Sequence, residues 1–99
     1  MEENLDIKWS AEAEFQLAKI YNYLLTEWGE KEAERFLDLA QEFEKIVSKY
    51  PFAFTPSQKK PHLYIGLIHR NVSAIYEVHS TYVLIYTLID NRADNPKYR

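Results

Sequence analysis

One glycine between two helical stripes constrains this chain most. Ala13, Leu17, Ile20, Tyr21, Leu24 and Trp28 recur every three or four residues, which is the spacing of one apolar face on a helix. Gly29 follows at once, and glycine readily takes the backbone conformation that ends a helix. A second stripe then runs through Ala33, Phe36, Leu37, Ala40, Phe43, Val47 and Tyr50 until Pro51 stops it. Two helices joined by so short a link must fold back on each other as an antiparallel hairpin. Their stripes need a common apolar surface to cover, because tertiary packing supplies most of the stability of a helix this short.

The remaining sequence supplies that surface as strands. Leu5, Ile7 and Trp9 alternate with Asp6 and Lys8, the pattern of a short half-buried strand. Ser10 can then cap the start of the first helix, and Glu12 and Glu14 suit its positive end. Beyond the second helix, residues 51–62 read as a loop broken by Pro51, Pro56 and Pro61, with Phe52 and Phe54 expected to tuck into the core. Three runs rich in Ile, Val, Leu and Tyr follow: Leu63 to His69, Val72 to Val78 and Tyr82 to Ile89. The short Arg70–Asn71 and Ser80–Thr81 links between them suit hairpin turns. The last run is apolar on both faces, as in a strand buried inside a sheet. The expected class is α+β: an N-terminal strand, a helical hairpin and a three-stranded antiparallel meander, with the helices on one face of the sheet. The tail from Ala93 to Arg99 is polar and irregular, and its order stays open at this stage.

With 99 residues and 46% apolar content, the chain holds one domain (1–99) around one core. It has no Cys, which excludes disulfides, thiolate metal sites and a thiol nucleophile, and which suits a reducing compartment. The longest nearly uncharged run, Val83 to Ile89, is far shorter than the ~20 residues of a spanning helix. Met1 to Lys8 is acidic and lacks the apolar centre of a signal peptide. A soluble cytoplasmic protein is expected.

Little in the chain suggests cofactor chemistry, and none is expected. His62, His69 and His79 lack the close spacing of metal ligands. Gly29 and Gly66 are the only glycines, too few for a phosphate-cradling loop. No Ser sits in a nucleophile elbow. The helical carboxylates follow the polar faces, as solvated charges do. Of the eight Tyr and five Phe, Tyr21, Phe36, Phe43 and Tyr50 fall on the apolar stripes, while Tyr76 and Tyr86 fall on strands and are expected to pack there. The charge distribution says more. The net charge is −3, yet from Lys45 onward eight cations face only Glu77, Asp90 and Asp94. Lys59, Lys60, Arg70, Arg92, Lys97 and Arg99 fall in loops, turns and the tail, where phosphate or partner contacts usually sit.

This order of elements, with its particular motifs, resembles the RelE/ParE toxin family of type II toxin–antitoxin (plasmid stabilisation) systems. The resemblance rests on Ile7-Lys8-Trp9-Ser10, the Trp28-Gly29 helix end, Ile75-Tyr76-Glu77-Val78 and Asp90-Asn91-Arg92, and covers roughly residues 5 to 98. It implies a cytoplasmic toxin neutralised by a cognate antitoxin protein that wraps around it. RelE-like members cut mRNA on the ribosome with basic residues on the sheet, assisted by a terminal Arg and Tyr. ParE-like members share the fold, lack that set and inhibit DNA gyrase. Here the sheet positions of the nuclease cations fall on Tyr64, Gly66 and Ser73, while Arg92 and Tyr98 match the terminal pair. Losing cations where charge develops should be severe for phosphate cleavage. A ParE-like binding inhibitor is therefore expected, with Lys59, Lys60, Arg70 and Lys97 as candidate target or phosphate contacts. The alternatives are a ribosome-dependent mRNA endonuclease using Arg92 and Tyr98, and a non-toxic chain that only binds an antitoxin.

Overall fold

A computed structural model describes residues 4–99. The expectation for the N-terminal end, Met1 to Lys8, lies outside the described residues where it concerns residues 1–3. The elements are β1 (Asp6–Trp9), α1 (Ala11–Trp28), α2 (Glu30–Lys49), β2 (Thr55–Pro56), β3 (Leu63–His69), β4 (Val72–Val78) and β5 (Tyr82–Asp90).

Ser10 does cap α1. Its hydroxyl oxygen accepts from the Ala13 amide at 3.0 Å and donates to the Tyr86 carbonyl at 2.6 Å, so one side chain starts the helix and ties it to β5. Gly29 is the whole link between the helices. At φ 97° and ψ 174° it occupies backbone space that is essentially glycine's alone. Its N–H closes α1 on the carbonyls of Leu24 and Leu25, and its carbonyl accepts from Ala33 to open α2.

The strands form one five-stranded sheet in the order β1-β5-β4-β3-β2. The β3-β4-β5 meander is antiparallel, but β1 lies parallel to β5, with Asp6 opposite Tyr82 and Trp9 opposite Ile85. β2 adds a two-residue edge strand inside the stretch expected to be loop, pairing Thr55 with Ile65 and Pro56 with Tyr64. Pro suits such an edge, where no outward donor is needed.

The main core lies between helices and sheet. Ala13, Leu24, Ala33, Phe36, Phe43 and Val47 from the helices meet Ile68, Ala74, Tyr76, Val83, Ile85 and Leu88 from the strands. Tyr76 is fully buried, stacks on Tyr64 with ring centres 5.5 Å apart and donates its hydroxyl to the Pro51 carbonyl at 2.8 Å. Burial first, and the neighbouring Tyr64 second, push its pKa well above the usual phenol range. Gly66 permits a close approach: a Cβ there would lie 2.5 Å from Phe43 Cε1 and 3.0 Å from a Phe54 ring carbon.

Several aromatics expected inside are outside. Trp28, Tyr50 and Phe52 are 69%, 57% and 66% exposed, and Tyr86 is exposed on its strand. Trp28 is the last residue of α1, where the chain already turns away. Tyr50 has φ −129°, so it has left the helix and lost the phase of the stripe. Phe52 sits in the turn that follows, whereas Phe54 does pack on Phe43, 5.5 Å between ring centres. Among the described residues no helix is long and apolar enough to cross a membrane.

Candidate target-binding face

The sheet face turned away from the helices is largely aliphatic. Side chains alternate along a strand, so Leu63, Ile65 and Leu67 of β3 share that face with their partners Glu77, Ile75 and Ser73 of β4. Leu63, Ile75 and Ile89 form a second apolar cluster there, with Ile65 packed against it.

The tail completes this cluster. Tyr98 is 7% exposed and lies against it, so the segment after Asp90 folds back rather than trailing away. The buried Ser57 hydroxyl donates to the Tyr98 carbonyl and accepts from the Lys60 amide. Asn95 ties the return together by donating to the carbonyls of Asp90 and Ala93. Arg99 donates to Asn91 at 2.8 Å, and Asn91 in turn donates to the Arg70 carbonyl. Between the tail and β2–β3 runs a groove of about 650 Å³ whose lining includes Phe54, Ile65, Leu67, Ser73, Tyr98 and Arg99. Its lining contains a guanidinium and no Asp or Glu side chain.

These contacts place the expected site residues. Tyr98 is a wall of the groove, with Lys97 Nζ 5.7 Å from its ring centre, and Ser57 brings the loop of Lys59 and Lys60 beside it. Arg70 meets Asn91 only through its backbone carbonyl, and none of Lys59, Lys60, Arg70 and Lys97 lines the groove itself. Arg92 points elsewhere: both its Nε and Nη2 are held by Asp90, at 3.1 and 3.0 Å. The paired hydrogen bonds hold the Asp90 carboxyl below its usual range and the Arg92 guanidinium above its own. Arg92 and Tyr98, matched as a terminal pair, therefore have separate surroundings. Arg99, noted only as part of the basic set, is the cation that lines the groove. Its position depends on the path of the tail, which no local pattern signals.

The cation positions also need correction. Tyr64 and Gly66 face α2, where Tyr64 stacks on Tyr76 and Gly66 abuts Phe43. A lysine at Gly66 would be buried under the helix, while the Tyr64 position is half-buried at its edge. The open-face neighbours are Ile65 and Leu67, and only Ser73 of the matched positions lies on that face. The histidines are dispersed: His69 accepts from the Asn71 amide and lies 3.9 Å from Glu32, and His79 contacts Glu77 at 3.0 Å. Among the described residues no group of three or more His, Cys, Asp or Glu could hold a metal ion.

A helical hairpin on one face of a short mixed sheet, with an open groove on the other, defines a fold class found in small bacterial toxins. The family model for the ParE toxin of the type II toxin–antitoxin system parDE matches residues 7–95, and the chain belongs to that family. Among solved structures it is similar to a chain of the chromosomal ParDE system from P. aeruginosa, with a TM-score of 0.74, 18% identity, and coverage of 90% of this chain and 98% of that one. It is also similar to the YoeB dimer from Staphylococcus aureus, with a TM-score of 0.60, 14% identity, and coverage of 85% and 93%. At these identities the structures bear on the fold alone. No curated protein matches the sequence.

Proposed function

We propose that this toxin acts in the cytoplasm by binding its target, DNA gyrase, without chemistry of its own, and that a cognate antitoxin holds it inactive. The observation that carries this reading is the open sheet face. A nuclease needs cations aimed at the phosphate where charge develops. Here the uncovered part of that face presents Ile65 and Leu67, Leu63 and Ser73 are buried beside them, and Arg92 is paired with Asp90 at the surface. The Tyr98 ring is packed against Leu63, Ile75 and Ile89 and is only 7% exposed, so little of it is free to meet a substrate. A groove that mixes aromatic and aliphatic walls with neutral polar groups and one guanidinium suits protein contact, in which aromatic and Arg anchors supply most of the affinity.

Arg99 in the groove is the one observation that favours the ribosome-dependent nuclease. Pulse incorporation of labelled thymidine and methionine after tight induction separates the readings. Under the gyrase reading, DNA synthesis falls first. An earlier fall in protein synthesis overturns it in favour of mRNA cleavage. If both continue while folded protein accumulates, the chain is an antitoxin-binding scaffold only.

A further inference from the structure

Between Lys45 and Tyr76 the sequence contains no carboxylate, although the chain as a whole is acidic. The first part of that span, the last turn of α2 and the turn after it, concentrates apolar side chains on the surface. Ile46, Tyr50 and Phe52 are 37%, 57% and 66% exposed. Lys45 and Lys49 are interleaved with them, and Lys49 Nζ lies 5.5 Å from the centre of the Tyr50 ring.

This exposure is built into the fold. Tyr50 closes α2 by donating its amide to Ile46, and the Ala53 amide returns to the Tyr50 carbonyl. The fully buried Tyr76 holds the turn from below through the Pro51 carbonyl. Phe52 rests edge-on against Tyr64, with ring centres 5.6 Å apart, at the outer end of the run Phe52-Tyr64-Tyr76-Phe43. A large ring held at the surface by a packed stack behind it loses little freedom on binding, which is the property of an interface anchor. Exposed apolar side chains grouped in this way, rimmed by charge, mark candidate protein-contact surfaces.

We propose that this aromatic–cationic patch, centred on Phe52 and Tyr50 with Lys45 and Lys49 at its rim, is a docking site for an acidic segment of the antitoxin carrying apolar anchors. It is separate from the open-face groove. The proposal rests on the toxin–antitoxin reading above. Charge selects the occupant: two lysines against one carboxylate, the exposed Glu42 a turn back on α2, favour a negative partner over a positive one. The apolar share selects a protein over a nucleic acid. The patch carries no Arg, the side chain best suited to paired phosphate contacts, and Phe52 is the outermost member of a ring stack already closed from behind. A partner of this kind gains most of its residence time from the rings and most of its encounter rate from the lysines.

The test uses the full chain and its purified cognate antitoxin. Native toxin is compared with Phe52→Ser and with the double variant Lys45→Glu/Lys49→Glu, each checked for native circular dichroism and melting. Dissociation constants are measured in low and high salt. Phe52→Ser is expected to weaken the complex about tenfold at both salt concentrations. The double charge reversal is expected to weaken it at least as much in low salt, with the difference shrinking as salt screens the charges. If both folded variants bind within about twofold of native, the docking site is overturned while the toxin–antitoxin reading stands. If native toxin fails to bind, both fall. If the variants lose growth arrest but keep the antitoxin, the patch serves the target and the proposal is wrong.

Discussion

At the scale of single residues, several contacts have consequences that can be measured. Gly66 is required by packing rather than by its own backbone, since a methyl group there meets the Phe43 ring at 2.5 Å. Gly66→Ala must displace Phe43 or bend β3, and overpacking of this kind typically costs about 1–3 kcal/mol. The expected outcome is a lower melting temperature with an unchanged far-ultraviolet spectrum. Arg92 and Asp90 support a second prediction. Asp90 has a depressed folded pKa, so its pairing contributes above the unfolded carboxylate value of about 3.9 and is lost as pH falls through the lower folded value. The pair is exposed and the contribution small, so the test is site-specific. A carboxyl-carbon NMR titration should place Asp90 below its ordinary range, and Arg92→Ala should move it back up. If growth arrest survives that same substitution, Arg92 is no part of the toxic site.

At the scale of elements, the helices were the most legible part of the sequence, because period, cap and stop all agree. Ser10, Gly29 and Pro51 mark the boundaries, and the hairpin lies where they put it. The strands of the meander were legible for similar reasons. β1 as an element was visible, but its parallel pairing with β5 was not, because no local signal chooses a partner so far along the chain. β2 was missed because a two-residue strand containing Pro56 reads as loop. The exposed aromatics were missed where a stripe runs past the end of its helix: the period continues in the letters after the backbone has left it, as at Tyr50. The candidate groove was less legible still, since Ile65 and Leu67 reach it only through the pleat, and Arg99 only through the tail. Gly29→Ala tests the hairpin. A side chain at φ 97° and ψ 174° is strained by roughly 1–3 kcal/mol, which should appear as a lower urea midpoint without any change in slope.

At the scale of the whole molecule, helices and tail lie on opposite faces of one sheet, and each face has its own apolar cluster. The second cluster is small and depends on Tyr98, whose seat is secured by Ser57. Ser57→Ala would leave a buried carbonyl and the Lys60 amide without their partner, at a cost of about 1–3 kcal/mol. Hydrogen exchange should then rise first at the tail and the β2–β3 loop, with the helical hairpin protected as before. Equal loosening of both layers would mean that the two faces are one cooperative unit.

The parallel pairing of β1 with β5 also sets a schedule for synthesis. Asp6 must wait for Tyr82 to be made before its strand has a neighbour, and until β3, β4 and β5 have followed, the apolar face of the helical hairpin has no sheet to cover. Chains emerge at roughly 5–20 residues per second and fold as units once their parts are present. For most of its time on the ribosome this polypeptide therefore carries an apolar helical face with nothing to cover it. A partner present during synthesis would meet surfaces that are still being assembled.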